Sequence, residues 1–261
     1  MNNSQIKKLN RSIKNGDIIK LGEHIIACGD CRDEVFVSKV VGGKKIALVN
    51  TDPPYGVELV EGAMEFKTPL KDKVIESDHI QSDDEYREFT RAWIAPIKSH
   101  LAQKNSFYVF NSDKMIWPLH DAMLAEDVKF AQLLIWIKSS AVLGRLDYAP
   151  QHELIAYGWF GTHSFKKPKD KSVLMCPKPK RSPHHPSTKP LTLIRRLILN
   201  STALNEVVYD GFLGSGTCLL ACEQTKRVCI GIEIDEEYCQ TAIDRWQKLT
   251  GKTAEFICHN P

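Results

Sequence analysis

The chain has 261 residues, 43% of them hydrophobic and 26% charged, with a net charge of +3. That is the composition of a soluble globular protein long enough for one α/β domain with a full core. It excludes several classes. No run approaches the ~18 apolar residues of a membrane span, residues 1–15 lack the apolar segment of a signal peptide, and eight scattered cysteines suit a reducing compartment.

In chain order, residues 1–15 read as a lightly docked arm ending in the turn Asn15-Gly16-Asp17. Ile18–Leu21 and His24–Cys28 then read as a hairpin running into a core strand that ends at Gly29-Asp30. Residues 31–41 form a short helix, and Ile46–Asn50 a buried strand. Residues 56–80 lack a period and read as a loop over a site. Tyr86, Phe89, Trp93 and Ile97 recur at helical spacing, which predicts a helix over 83–103. A strand at 107–110, a helix at 113–125 and strands at 130–137 and 152–157 follow.

Residues 161–186 read as an irregular basic segment. From Ser164 to Lys189 there are eight Lys/Arg against Asp170 alone, an electrostatic footprint suited to a polyphosphate. Pro190–Leu204 is helical and Val207–Tyr209 a strand. Cys218–Gln224 is a helix, Val228–Ile232 a strand and Glu236–Leu249 a last helix. The tail from Gly251 carries no signal. Strands alternating with helices argue a doubly wound, mostly parallel sheet. Cys28-x-x-Cys31 has no second pair at zinc spacing, so free thiols and no metal site are expected.

Two stretches organise the chain. Thr51-Asp52-Pro53-Pro54-Tyr55-Gly56 follows the Ile46–Asn50 strand. Its prolines fix φ and remove two backbone donors, leaving carbonyls at a rigid corner beside Asp52. A carboxylate and a carbonyl together suit a group with two N–H bonds, such as an exocyclic amine, and Tyr55 offers a stacking face. In Asp210-Gly211-Phe212-Leu213-Gly214-Ser215-Gly216-Thr217, two glycines permit positive φ and the turn opens a helix with free N–H groups. Glu233 ends the next strand, where an acid takes ribose hydroxyls in nucleotide-binding α/β folds. The loop lacks the full dinucleotide glycine pattern, which disfavours a nicotinamide dehydrogenase.

The Asp-Pro-Pro-Tyr and Phe-x-Gly-x-Gly stretches resemble the two signatures of S-adenosylmethionine-dependent amino-group DNA methyltransferases, the N6-adenine and N4-cytosine enzymes, over residues 16–248. The resemblance implies a seven-stranded, Rossmann-like methyltransferase fold in one domain, with the acceptor motif ahead of the cofactor motif. It implies Asp52, Pro53, Pro54 and Tyr55 as catalytic. Asp210, Gly214 and Gly216 would line the methionine part of S-adenosylmethionine, Glu233 the ribose and Asp30 the adenine region, with Cys31, Phe212 and Thr217 also binding the cofactor. His185–Pro190 resembles the segment leading into the first cofactor-side helix, which would bring Thr188 and Lys189 to the cofactor carboxylate.

On this reading Asp52 and the Pro53 carbonyl accept the amine of an extruded base, and Tyr55 stacks on it. Asp at the first motif position favours adenine N6 over cytosine N4. Residues 56–80 and 139–185 would recognise double-stranded DNA, with Lys166, Lys167, Lys169, Lys178, Lys180 and Arg181 on its phosphates. Trp159, Phe160, His163 and Phe165 interleave with these lysines, suited either to stacking on nucleic acid or to packing at the sheet edge. A homodimer, a cognate restriction endonuclease and a cytoplasmic, nucleoid-associated location are further implications. An RNA amino-methyltransferase and an inactive nucleic-acid-binding partner of the same fold are the alternatives. No Pro-Cys pair is present for carbon-5 cytosine chemistry.

Overall fold

The structure, a computed structural model, describes residues 12–55, 82–141, 147–167, 170–177 and 189–258. The expected recognition loop at 56–80 therefore lies outside the described residues, as do Lys169, Lys178, Lys180, Arg181, Thr188 and part of 139–185.

The strands are β1 (Ile18–Leu21), β2 (His24–Cys28), β3 (Ile46–Thr51), β4 (Leu101–Asn111), β5 (Val128–Ile137), β6 (His152–Phe160), β7 (Val173–Met175), β8 (Val207–Asp210), β9 (Val228–Glu233) and β10 (Glu255–Cys258). The helices are α1 (Glu34–Val41), α2 (Asp83–Ile94), α3 (Ile116–Ala125), α4 (Leu191–Ser201), α5 (Thr217–Thr225) and α6 (Glu236–Thr250). All strands join one sheet in the order β10-β1-β2-β9-β8-β3-β4-β6-β5-β7. The run from β2 to β4 is parallel. β6 inserts antiparallel between β4 and β5.

Every residue of β3 is buried, as a central parallel strand with both faces covered requires. One face carries α4, α5 and α6, with Leu197, Leu219, Ile243 and Trp246 in its core. The other carries α1, α2 and α3, with Val37, Tyr86, Trp93 and Leu119. Trp93, Trp136 and Trp246 are each at most 1% exposed. Full burial of a large apolar side chain stabilises by about 1.5–3 kcal/mol, so these rings anchor the layers.

The sheet differs from the seven strands expected, because edge strands extend it. β2 to β5 form a seven-stranded core. β1 and β10 add antiparallel at one edge, and the three-residue β7 adds parallel at the other. β7 and β10 are only three and four residues long, so their apolar residues are too few to stand out as strands.

The helix expected over 83–103 stops at Ile94. Ser82 opens it with a capping box to Glu85, but Pro96 lacks an N–H and forces a 3-10 turn over Ala95–His100. β4 then starts at Leu101, several residues before its apolar part. β6 runs on to Phe160. Trp159 and Phe160 therefore belong to the sheet, beyond the 157 end expected for this strand.

Candidate active site

The register of the sheet brings the two organising stretches together. β3 and β8 pair in parallel, with Val49 opposite Tyr209. Their carboxyl ends therefore emerge side by side. From there the chain leaves β3 towards β4 on one side and β8 towards β9 on the other. That divergence opens a crevice, the place where doubly wound sheets hold ligands. The Thr51 hydroxyl donates to Asp210 Oδ1 at 2.8 Å, a buried bond between the last residues of the two strands.

At the acceptor corner Pro53 and Tyr55 are buried, while Asp52 and Pro54 are half-buried. Both oxygens of Asp52 are engaged. The Tyr55 hydroxyl donates to Oδ1 at 2.5 Å, and the Lys189 ammonium donates to Oδ2. Lys189 also lies 3.2 Å from the Tyr55 hydroxyl and 3.2 Å from Glu153 Oε2. Lys138 holds the other oxygen of Glu153 at 2.8 Å. The result is a row of alternating charges: Lys138, Glu153, Lys189, Asp52.

Burial pushes the Asp52 carboxyl above its ordinary range, against the pull of Lys189. Burial acts the same way on Glu153, but Lys189 and Lys138 outweigh it and hold that carboxyl below its ordinary range. Desolvation disfavours the Lys189 ammonium, yet its two acids keep its pKa raised. Lys189 was expected beside the cofactor carboxylate; the fold instead seats it on the acceptor acid. Tyr55 is likewise turned in, 8% exposed, with its ring 5.6 Å from the Lys189 nitrogen rather than open as a platform.

The glycine loop is organised differently. Gly214 and Gly216 have φ of 53° and 83°, and Gly216 opens α5. A Cβ on Gly216 would meet the Ala242 Cβ at 2.7 Å, so α6 packs against bare backbone there. Glu233 accepts from Gly214 N at 2.6 Å and Asp235 N at 3.0 Å. Burial nevertheless raises its pKa. Asp210 accepts from Thr51 and from Phe212 N, and burial lifts its carboxyl to about 7. Phe212 packs edge-on to Trp93, and Thr217 begins α5 half-buried. Asp30 is paired with Arg32 at 2.6 Å. Cys31 is buried and would lie 3.3 Å from a Cβ on Gly211, so it packs the loop from beneath.

The donor set suits a nucleoside-bearing cation. Glu233 and Asp30 can accept hydroxyl and amine hydrogens, and Asp210 would be held ionised by a nearby positive centre. Two paired acids and a free helix end with no second glycine cradle do not suit a pyrophosphate.

Sequence reasoning missed Glu153, Lys138 and the hydroxyl of Thr51. Lys138 follows β5 and Glu153 lies near the start of β6, both at the edge that holds the site, and a charged pair flanking one loop at that edge was the available signal. Of the basic residues, Lys166 and Lys167 are exposed, whereas Asp170 is tied to Arg196. His163 stacks on Trp159 at 3.8 Å and Phe165 lies against Tyr157, so these aromatics pack at the sheet edge. Cys28 is a buried free thiol like Cys31. The sulfurs of Cys218, Cys222 and Cys229 lie within 4.8 Å of one another in the core under α5.

A doubly wound sheet, an acid-Pro-Pro-Tyr corner and a glycine loop facing it across the switch point define an amino-group methyltransferase of the Rossmann-like class. The DNA methylase family that groups N6 and N4 enzymes matches residues 46–244, and the chain belongs to it. The type II methyltransferase M.HpaI of Haemophilus parainfluenzae is 25% identical over 82% of this chain and 72% of its own length. The crystal structure of the M1.HpyAVI–SAM complex superposes with a TM-score of 0.62 at 25% identity, over 84% of this chain and 98% of that one. The cytosine-N4-specific PvuII DNA methyltransferase shares the fold, with a TM-score of 0.65 at 16% identity over 83% of this chain and 84% of its own.

Proposed function

We propose that the chain is a site-specific DNA methyltransferase that uses S-adenosylmethionine and acts on the N6 amine of an adenine turned out of the duplex. The observation that carries this reading is the Thr51–Asp210 hydrogen bond, which sets the amine-accepting corner and the glycine loop on adjoining strand ends. When bound, the sulfonium supplies an activated methyl group.

The chain's own residues do the rest. Glu233 and Asp30 orient the nucleoside part by accepting its hydrogens, with Cys31 packed beneath. Gly214, Gly216 and Thr217 let the backbone and the α5 N-terminus approach an anionic group. Asp210 and Phe212 line the crevice between the two corners.

On the acceptor side, Asp52 accepts one amine N–H and the Pro53 carbonyl the other. This biases the nitrogen towards a tetrahedral, nucleophilic shape and places a negative group where positive charge develops. The amine proton becomes acidic only after its nitrogen has gained a bond, so no strong base is needed. Tyr55 and Pro54 shape the base pocket.

An acid at the first position of the corner favours adenine. The cytosine-N4 relative shares the fold, so cytosine N4 is the second reading. Lys166, Lys167, Lys169, Lys178, Lys180 and Arg181, with residues 56–80 and 139–185, form the proposed DNA-facing surface. A homodimer and a partner restriction endonuclease belong to the same proposal.

The test is incubation with labelled S-adenosylmethionine and DNA, digestion to nucleosides and separation by mass. N6-methyl-2′-deoxyadenosine is the expected product. Label in N4-methyl-2′-deoxycytidine would transfer the assignment to cytosine, and no label in DNA would sink it.

A further inference from the structure

In the state seen here each oxygen of Asp52 already accepts a hydrogen bond, and the place on Oδ2 is filled by the Lys189 ammonium. The donor on Oδ2 is an ammonium, which presents N–H bonds as an exocyclic amine does. A charge-assisted bond is roughly twice as strong as a neutral one, so an incoming amine loses to Lys189 unless Lys189 has another anion to hold. Lys189 is buried.

Glu153 supplies that anion. Its Oε2 lies 3.2 Å from the Lys189 nitrogen, is buried, and has no donor other than Lys189 among the described residues. Its Oε1 is fixed by Lys138.

We propose that Lys189 occupies the target amine's seat on Asp52 while no base is bound, and that Glu153 is the positioning residue that draws Lys189 off when the base arrives. This rests on the amino-methyltransferase reading. The exchange moves one cation between two anions, so the four-charge row stays neutral. It also removes an ammonium from beside a nitrogen that becomes positive, which is the electrostatic reason Lys189 has to leave. The Phe110 and Tyr55 rings stand 5.2 and 5.6 Å from the Lys189 nitrogen and confine its movement to the line between the two acids. Tyr55 faces Asp52 from the corner itself, Glu153 faces Lys189 from β6 with Lys138 behind it on the other oxygen, and Asp210 lies on the neighbouring strand.

The test uses the full chain and two duplexes: one with 2-aminopurine next to the target adenine, whose fluorescence reports that adenine leaving the stack, and an unmodified one on which single-turnover methyl transfer is followed against pH. Glu153→Gln leaves Lys189 with Asp52 alone. It is expected to suppress the fluorescence rise and slow transfer about tenfold or more, with cofactor affinity unchanged. Adding Lys189→Met to that variant is expected to restore base capture above the level of Glu153→Gln alone.

The acid limb separates these roles from simple packing. Lys189→Met removes the cation that favours ionised Asp52, so the limb moves to higher pH. Glu153→Gln removes a repelling anion, so the limb moves to lower pH. Glu153→Asp, which keeps the charge, serves if the glutamine variant fails to fold, and is expected to fall between wild type and Glu153→Gln. Wild-type base capture and rate in Glu153→Gln, or a double variant no better than the single, would overturn the proposal. A wild-type protein that labels no DNA would instead sink the methyltransferase reading.

Discussion

The two corners of the crevice are built from opposite materials. The acceptor corner is held by side-chain charges: Asp52, Lys189, Glu153 and Lys138 lean on one another in sequence. The glycine loop is held by main chain: Gly214 N and Asp235 N on Glu233, and bare glycine against Ala242. A charge row can rearrange when a new donor arrives. A backbone cradle is already shaped for its ligand and costs little to fill. The protein thus keeps one side of its reaction adjustable and the other fixed.

That contrast breaks most sharply at the acid itself. Asp52→Ala is expected to lower methyl transfer at least about a hundredfold while calorimetry shows cofactor binding intact. Lost cofactor binding would mean the corners are not separable. On the other side, Gly216→Val puts a β-branched residue at φ of 83° with its Cβ 2.7 Å from that of Ala242. The strain is about 1–3 kcal/mol before any clash. Cofactor affinity and melting temperature should both fall, and unchanged affinity would remove the loop from the site.

Asp210 sharpens the comparison through pH. Its folded carboxyl holds its proton to about 7, well above the ordinary value of 3.8. The stability it contributes is therefore full below the ordinary value and is lost as pH rises through 7. Asp210→Asn keeps an acceptor for Thr51 and abolishes that loss. The variant should melt like wild type at pH 4 and be more stable by a few kcal/mol at pH 8, each unit of displacement being about 1.4 kcal/mol. Equal melting at both values would place the Asp210 carboxyl in its ordinary range.

Smaller effects follow from the link and the rim. Thr51→Val deletes the bond between the corners and should cost about 1 kcal/mol, seen as weaker cofactor binding and slower transfer together. Replacing Lys166 and Lys167 by alanine should flatten the salt dependence of DNA binding by about one unit of slope for each phosphate left without its lysine. An unchanged slope would place the DNA elsewhere.

Much of this architecture was legible from the chain. Apolar runs marked β3, β8 and β9, and the glycine and proline spacing located both corners. The rest depended on distance. Glu153 and Lys189 are far apart in sequence, and nothing in the chain pairs the one with the other. The family resemblance brought Lys189 to the cofactor carboxylate, and only the fold shows it turned onto Asp52 and Glu153. Pro96 was a visible stop signal, but the aromatic spacing through Ile97 carried the helix past it. β7 and β10 were invisible because short edge strands owe their form to a neighbour rather than to their own residues.

The Thr51–Asp210 bond has a consequence for how such a protein can change. A substitution that loosens the cofactor side pulls on the strand end that aims Asp52, and the reverse holds. The two strand ends are therefore tied at a single pair of atoms, and what passes between them is limited to what one buried hydrogen bond can carry.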